Sequence, residues 1–321
     1  MTENYQQLMQ ATQPAAVRRH AREQMGQTRP SFWMVALVVL VLTSLIPDAV
    51  TGLRPAVTAS GDLNGPGLFL TILMTLFTWV IAFGFKWWAL DCSDGLRGEN
   101  APSIHTLFNG FSMVTGVLLL ELDLAARMVL WSLVVSVPVS LLMGMMFFWS
   151  GSVSTVFFLT LLLSIGACYV INLRYALARY LYIDQPEEAR SVRQAIRDSV
   201  ALMRGWKGRL FQLQLSFVGW YLLEVALMVL AIVLVGFAGL VELSSVWATV
   251  RGGGILAAVG MVLAVPAAEL AVTLLPLPLD LWLTPYTNVA AARFYRLRTQ
   301  LAQCPPPVYE HGENGWDGPE Q

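Results

Sequence analysis

Residues 67–90 read GLFLTILMTLFTWVIAFGFKWWAL, and the first charged side chain in this stretch is Lys86. A predominantly apolar run of this length is typical of a transmembrane helix, because about 20 helical residues cross a hydrocarbon core of about 30 Å. Trp87 and Trp88 follow Lys86, and basic and aromatic residues in this arrangement mark the boundary between membrane and water. The stretch therefore predicts a membrane-spanning helix.

The whole chain has the composition of a membrane protein. Apolar residues make up 56% of it and charged residues 13%, and the mean hydropathy is +0.60. A soluble domain of this length would be less apolar. We predict an all-α fold, a polytopic membrane helix bundle of about six transmembrane helices with a cytoplasmic amphipathic helix. The predicted spans are 31–49, 67–90, 128–149, 153–175 and 210–241, with a sixth inside 254–298.

The sixth region is too long for a single crossing, and prolines at 266, 276, 278 and 285 interrupt it. We expect one crossing together with a re-entrant, interfacial or outward-projecting piece. The predicted organisation is a cytoplasmic N-terminal helix and tail at 1–30, an integral membrane domain at 31–298 and a polar, disordered C-terminal tail at 299–321. Within the first part, residues 14–26 are expected to form a helix.

Positive charge alternates between the connections of the predicted spans. Eighteen of the twenty Lys and Arg residues lie on one set of alternate connections, and two lie on the other set. Cationic loops are retained in the cytoplasm during insertion. The pattern predicts a multi-pass membrane protein with both termini on the cytoplasmic side. The first thirty residues have no apolar core, so we expect no cleavable signal peptide, and the scattered cations indicate no nucleic acid partner.

The longest internal polar segment predicts an amphipathic helix at residues 187–204. Apolar residues recur there at helical spacing, and basic residues occupy the other positions or follow directly. Such a helix suits the anionic lipids of the inner membrane face. Packing against the underside of the bundle explains the same pattern equally well. The candidate contacts to anionic lipid or to a partner are Arg190, Arg193, Arg197, Arg204, Lys207 and Arg209.

Small residues recur every four positions in two predicted spans. Ser132, Ser136, Ser140 and Gly144 form one stripe, and the next span carries a second from Thr160 to Asn172. Small residues let membrane helices approach closely. We therefore expect the third and fourth spans to pack as a tight antiparallel pair.

Motifs of catalysis are not found in the sequence. It holds no P-loop, nucleophile elbow or dinucleotide-binding fingerprint, and its three histidines lie singly in polar segments. Cys92, Cys168 and Cys304 are too far apart to indicate a zinc site or a disulfide framework. We expect no enzyme activity, no cofactor and no metal.

Three carboxylates lie deep in apolar sequence: Glu224, Glu269 and Asp280. An ionised carboxylate in the bilayer core costs roughly 2.5–3.5 kcal/mol, so such residues often line a proton or cation path. A structural role is the alternative, in which Glu269 and Asp280 lie near the interfaces and Glu224 bonds a neighbouring helix. We favour the structural role.

These observations leave two main functional hypotheses. The first is a non-enzymatic membrane scaffold, a component that binds lipid or a partner, where the partner is another protein or a second copy of the chain. The second is a small transporter or permease that uses the intramembrane carboxylates. No internal inverted repeat is evident to favour transport.

The segment Asp184–Trp220, DQPEEARSVRQAIRDSVALMRGWKGRLFQLQLSFVGW, resembles a bacterial integral-membrane family of unknown function. It is domain-of-unknown-function family number nine hundred and seventy-five. The C-terminal LTPYTNVAAARFYRLR resembles the closing helix of that family, and Leu90–Phe111 resembles its first cytoplasmic loop. This chain carries extra apolar sequence around 139–171 and 244–270. The resemblance implies a multi-spanning bacterial membrane protein and brings no catalytic residues.

Overall fold

A computed structural model describes residues 2–28, 31–57, 62–96, 101–150, 153–237, 248–249, 251 and 271–304. Within these ranges the chain is helical, apart from turns and one isolated antiparallel bridge between Val57 and Leu63. The helices are α1 (Thr2–Ala11), α2 (Pro14–Met25), α3 (Phe32–Leu53), α4 (Gly65–Ser93), α5 (Asn109–Ser112), α6 (Val114–Ser150), α7 (Val153–Tyr175), α8 (Ala178–Asp184), α9 (Val192–Leu202), α10 (Lys207–Leu215), α11 (Val218–Phe237) and α12 (Leu277–Gln303). The π-helical turn Val41–Leu45 lies inside α3, and 3₁₀ turns occupy Ile104–Phe108 and Glu187–Ala189.

Four of the described helical segments are long and apolar enough to cross a membrane: Phe32–Leu53, Gly65–Ser93, Val114–Leu141 and Val218–Val235. Most of the residues in each apolar window are not buried inside the protein, as expected for helices that face lipid. The prediction of an all-α membrane helix bundle is confirmed. The number of six spans stays a prediction, because residues 238–247 and 252–270, with Pro266, lie outside the described ranges.

Helix α6 begins earlier than predicted. The predicted third span starts at Met128, just after the charged residues Glu121, Asp123 and Arg127, yet the helix runs through these residues from Val114. Glu121 forms an ion pair with Arg179 of α8, and Asp123 pairs with Arg127 one turn along. The charges are therefore neutralised by partners and do not end the helix. Helices α6 and α7 pack on each other more extensively than any other described pair, although residues 151–152, which connect them, lie outside the described part.

The predicted fifth span is not one continuous helix. Helix α10 ends at Leu215 and α11 begins at Val218. The Arg18 guanidinium of α2 donates a hydrogen bond to the Ser216 carbonyl at 3.2 Å. This contact satisfies a carbonyl that the helix end leaves without an intrahelical donor, so the N-terminal segment supports the break.

The best-packed part of the molecule lies at one end of the bundle, where Lys86, Arg174 and α9 are found; we call it the basic end. Its core joins α2, α4, α8 and α12. Trp88, Tyr180 and Tyr295 are fully buried there, and the two tyrosine rings stack with centroids 5.5 Å apart. Burying such a side chain stabilises the fold by about 1.5–3 kcal/mol. The N-terminal helix α2 contributes Val17, Ala21 and Met25 to this core.

Helix α4 approaches the 3₁₀ turn Ile104–Phe108 very closely at Gly84. A Cβ atom at this position would lie 1.9 Å from the carbonyl oxygen of Leu107. Only glycine permits this contact between two backbones. The 3₁₀ turn is followed directly by the short helix α5.

The predicted helix at 187–204 is shorter in the structure. Residues Glu187–Ala189 form a 3₁₀ turn, Arg190 is extended, and α9 spans Val192–Leu202. The Gln185 side chain explains the interruption, because its oxygen accepts the Ser191 N–H at 2.8 Å. Helix α9 packs on the bundle through the buried residues Ala195, Ile196 and Ser199.

The C-terminal helix α12 continues to Gln303, beyond the predicted domain boundary at 298. Residues 305–321, the remainder of the predicted tail, lie outside the described ranges. Residues 97–100 of the connection after α4 also lie outside them.

Candidate functional site

A groove of about 960 Å³ lies at the basic end, where α9 crosses the ends of α6 and α7. Helix α9 is held there by its buried face and by Ser199, whose hydroxyl donates to the Arg174 carbonyl at 3.3 Å. The lining contains acidic, basic and apolar residues from all three helices: Leu119, Asp123, Arg127, Arg174, Tyr175, Val192, Arg193, Ile196, Arg197, Val200, Ala201 and Arg204. We call this cavity the arginine groove.

The arginine groove carries a strong excess of positive charge, with five arginines against one aspartate. Asp123 is already bound, because Arg127 donates to both of its oxygens at 3.1 and 3.2 Å. Arg193, Arg197 and Arg204 are exposed, and within the described ranges no carboxylate lies within 4.0 Å of any of them. The groove therefore offers guanidinium groups whose hydrogen-bond donors are free for an anion.

The other wall of the arginine groove is apolar. Leu119 of α6 is exposed, and Val192, Ile196 and Val200 of α9 line the same space. Cations and aliphatic side chains at one site match a ligand that has an anionic group attached to an apolar body. A small hydrophilic anion would gain nothing from the aliphatic wall.

The structure brings three of the six predicted contact residues into this groove, namely Arg193, Arg197 and Arg204. Arg190 instead bonds the Gln185 carbonyl at 3.2 Å and lies over the Tyr182 ring. Lys207 begins α10 outside the groove lining.

Arg209 also lies outside the groove and holds the N-terminal segment. Its guanidinium donates to the Thr12 hydroxyl at 2.6 Å and to the Met9 carbonyl at 3.2 Å. It also lies over the Trp206 ring at 5.3 Å, and Arg298 lies over the same ring at 4.9 Å. The Trp206 ring thus joins α10 to α12, and these arginines have structural contacts.

Arg127 and Arg174 belong to the arginine groove and were missing from the predicted contact set. They lie on α6 and α7, far from α9 in sequence. Their position at the ends of apolar stretches could have identified them, because basic side chains there commonly reach the headgroup region.

Two acidic residues of the basic end, Asp94 and Asp184, are engaged outside the groove. Arg296 pairs with Asp94 at 2.6 Å and with Asp184, and the Tyr295 hydroxyl donates to Asp184 at 2.6 Å. Burial raises the pKa of the Tyr295 phenol, and its hydrogen bond to Asp184 raises it further. Tyr295 consequently stays protonated, and the network joins α4, α8 and α12 without supplying acid to the groove.

The predicted intramembrane carboxylates lie away from the arginine groove. Glu224 of α11 and Asp280 of α12 are both partly buried. Glu269 lies outside the described residues. A second cavity, of about 630 Å³, is lined by Tyr221 but not by Glu224.

The possible metal ligands of the chain are scattered in the part that the structure describes. No group of three or more His, Cys, Asp or Glu side chains there is placed to hold a metal ion. Cys92, Cys168 and Cys304 are free thiols.

Comparison with known proteins identifies the family of this chain but not its function. A family model with the description "Protein of unknown function (DUF975)" matches residues 9–302. No curated protein and no solved structure gives a significant match. The matched range includes every residue of the arginine groove.

Proposed function

The chain belongs to the family of proteins of unknown function DUF975, and we propose that it is a membrane protein whose arginine groove binds anionic phospholipid headgroups. In this proposal the chain is a non-enzymatic scaffold in the bacterial cytoplasmic membrane, with several spans and with both termini in the cytoplasm. The groove then lies at the inner leaflet, where anionic lipid is available.

The observation that carries the proposal is the group of three exposed arginines without a carboxylate partner in the described ranges, Arg193, Arg197 and Arg204. Each cation near an anionic membrane surface contributes about 1 kcal/mol to association. Guanidinium groups bind phosphate oxygens through paired N–H donors. An anionic headgroup would supply the negative charge that the protein itself does not.

The position of the groove favours lipid over a soluble acidic peptide. Arg127 belongs to a helix with the length and composition of a membrane span, and Arg174 stands at the last turn of α7. The aliphatic wall formed by Leu119 and Val192 would contact the glycerol and the first methylenes of a lipid. An acidic segment of a protein partner is an outcome that the experiment below distinguishes.

The proposal assigns no chemical step to the groove. Its basic side chains are arginines, which stay protonated in proteins and so do not serve as general bases. Binding and positioning are the functions that such groups perform well.

A second candidate function is movement of a proton or cation through the bundle. The presence of Glu224 and Asp280 in apolar sequence favours it, since carboxylates within membrane segments often mark proton or cation paths. The variant Glu224→Gln tests it in proteoliposomes. Loss of a proton or cation flux would support transport, and absence of any flux in the parent protein would exclude it for the ions tested.

The lipid proposal is tested by the thermal stability of the full chain in a neutral detergent. A ligand at 100 times its Kd stabilises the folded state by about 2.7 kcal/mol. We expect short-chain phosphatidylglycerol to raise the Tm and phosphatidylcholine to raise it much less. The double variant Arg193→Gln, Arg197→Gln should lose the difference.

The matched control is Arg19→Gln, which removes an exposed arginine of α2 outside the groove. It should respond to phosphatidylglycerol as the parent does. Equal stabilisation by the two lipids, or an unchanged response in the double variant, would contradict lipid binding in the groove. Stabilisation by a soluble polyanionic peptide, in place of the lipid, would indicate a protein partner.

A further inference from the structure

The second cavity encloses a charged group that the proposed function does not use. Lys86 of α4 lines it, together with residues of α7, α10, α11 and α12. The cavity has a volume of about 630 Å³ and shares no lining residue with the arginine groove. That volume lies within the range of ordinary small-molecule sites.

Lys86 has neutral partners only. Its ammonium donates to the Asn288 side-chain oxygen at 2.7 Å and lies 5.8 Å from the centre of the Tyr180 ring. Among the described residues no carboxylate lies within 4.0 Å of it. Glu121 is the acidic residue whose charge acts on Lys86. Both of its carboxylate oxygens already accept hydrogen bonds from the Arg179 guanidinium. An unpaired cation in a membrane helix is costly, and such residues commonly face a ligand or an ion path.

The remaining walls of the cavity are mostly apolar and open towards the lipid-facing surface. Ile165 of α7 and Leu215, Val218 and Tyr221 of the α10–α11 region line it and are all exposed. Gln214 and Tyr169 are hydrogen-bonded to each other across the cavity between α10 and α7. The site thus combines one cation at its base with an aliphatic and aromatic mouth that faces the membrane.

We propose that this cavity binds a fatty acid, with the carboxylate on Lys86 and the acyl chain between α7 and the α10–α11 region. A single ammonium matches the single charge of a carboxylate, whereas a phosphate monoester carries more charge than one lysine neutralises. Asn288 lines the cavity beside Lys86, and its side-chain nitrogen donates one N–H to the Thr284 carbonyl, which leaves the second N–H for the other carboxylate oxygen. Entry from the bilayer requires no aqueous route. This site is separate from the arginine groove and does not depend on the function proposed for it.

The test uses the full chain in phosphatidylcholine nanodiscs and a fatty acid that carries a photoreactive diazirine in its chain. We expect cross-links in the peptides that contain Ile165 and Leu215. Unlabelled oleate should compete, and the corresponding photoreactive alcohol should label weakly. Lys86→Gln should lower the labelling by about tenfold, because it removes a charge-assisted contact.

The chain offers two matched controls. Lys207 is its only other lysine, so Lys207→Gln should label as the parent does, and Lys86→Arg should retain most labelling because it keeps the charge. Gly166 lines the cavity, and a Cβ there would meet nothing within 4 Å. Gly166→Leu should therefore block the acyl chain, while Gly219→Leu, at another open helical glycine outside the lining, should not.

Four results would overturn the proposal. Equal labelling by the acid and the alcohol would show simple partitioning into an apolar crevice. Unchanged labelling in folded Lys86→Gln would remove the role of the ammonium. If Lys86→Gln does not fold, retained labelling in Gly166→Leu would overturn the proposal by itself, and its loss there would support it. Stronger labelling by a photoreactive lysophosphatidic acid would assign the site to a phosphate ligand and contradict the carboxylate.

Discussion

The ion pair between Glu121 and Arg179 allows a quantitative prediction of how a mutation changes the free energy of unfolding. Arg179 Nε and Nη2 lie 2.6 and 2.7 Å from the two carboxylate oxygens of Glu121, and the Glu121 residue is 8% exposed. The pair joins α6 to α8 across 58 positions of sequence. Glu121→Gln keeps the shape of the side chain and leaves the guanidinium without its counter-charge.

Removing one partner of a buried pair costs about 3–5 kcal/mol, because the remaining charge stays desolvated. The Arg179 side chain is 29% exposed, so the lower end of this range applies. We expect Glu121→Gln to lower the free energy of unfolding by an amount in this range. The double variant Glu121→Leu, Arg179→Met should lose less than the sum of the two single losses, since it leaves no unpaired charge. The measurement is equilibrium unfolding in mixed micelles, followed by circular dichroism.

The same helix provides the control. Asp123 and Arg127 form an ion pair one turn apart, with side chains 32% and 40% exposed. Pairs of that kind contribute about 0–1 kcal/mol, so Asp123→Asn should change stability little. Equal losses for Glu121→Gln and Asp123→Asn, or strict additivity in the double variant, would refute this account of how α6 tolerates its charges.

Three further predictions concern packing, pH and orientation. Gly84→Ala should cost at least about 2 kcal/mol in unfolding free energy because of the Leu107 carbonyl, whereas Gly166→Ala should be neutral or slightly stabilising. Burial lowers the pKa of His20 below its ordinary 6.5, outweighing the hydrogen bond to the Ser93 carbonyl. The unfolded chain therefore binds the proton more readily, so the Tm should fall as pH falls below about 6.5, and His20→Gln should remove that part of the slope. The predicted orientation is tested with single cysteines in a cysteine-free background. A cysteine at Gly61 should react with an impermeant thiol reagent from outside, and one at the exposed Ala201 should not. Labelling of Ala201→Cys from outside would contradict the predicted orientation.

The sequence contained enough information for the local elements. The predicted fourth span, 153–175, coincides with α7, and the predicted N-terminal helix at 14–26 differs from α2 by one residue at its end. Both elements have their boundaries encoded locally, by Pro14 in one case and by a long apolar stretch in the other. Such signals need no knowledge of tertiary contacts.

Two of the errors came from contacts that are distant in sequence, and a third came from a nearby side chain. The start of α6 depended on Arg179 as a partner for Glu121, and the break before α11 depends on Arg18 reaching the Ser216 carbonyl. Neither partner can be identified from helical periodicity. The interruption at Arg190 depends on the Gln185 side chain, whose bond to a backbone N–H competes with the helix.

The same reasoning explains what could be predicted of the site. Arg193 and Arg197 follow helical spacing, so their common exposure was accessible from sequence. Arg127 and Arg174 join them only because α9 crosses the ends of α6 and α7. The cavity around Lys86 has contributions from five helices and could not be read from any one segment.

The most direct test of the central proposal is the lipid selectivity of the full chain in a bilayer. Electron paramagnetic resonance of spin-labelled phosphatidylglycerol and phosphatidylcholine measures which lipid is held at the protein surface. With about 1 kcal/mol per surface cation, removing Arg193 and Arg197 should weaken the groove for anionic lipid by roughly thirtyfold. We predict a clear preference for phosphatidylglycerol in the parent, reduced by salt and lost in Arg193→Gln, Arg197→Gln. The same preference in parent and variant would contradict the assignment of the arginine groove to anionic lipid.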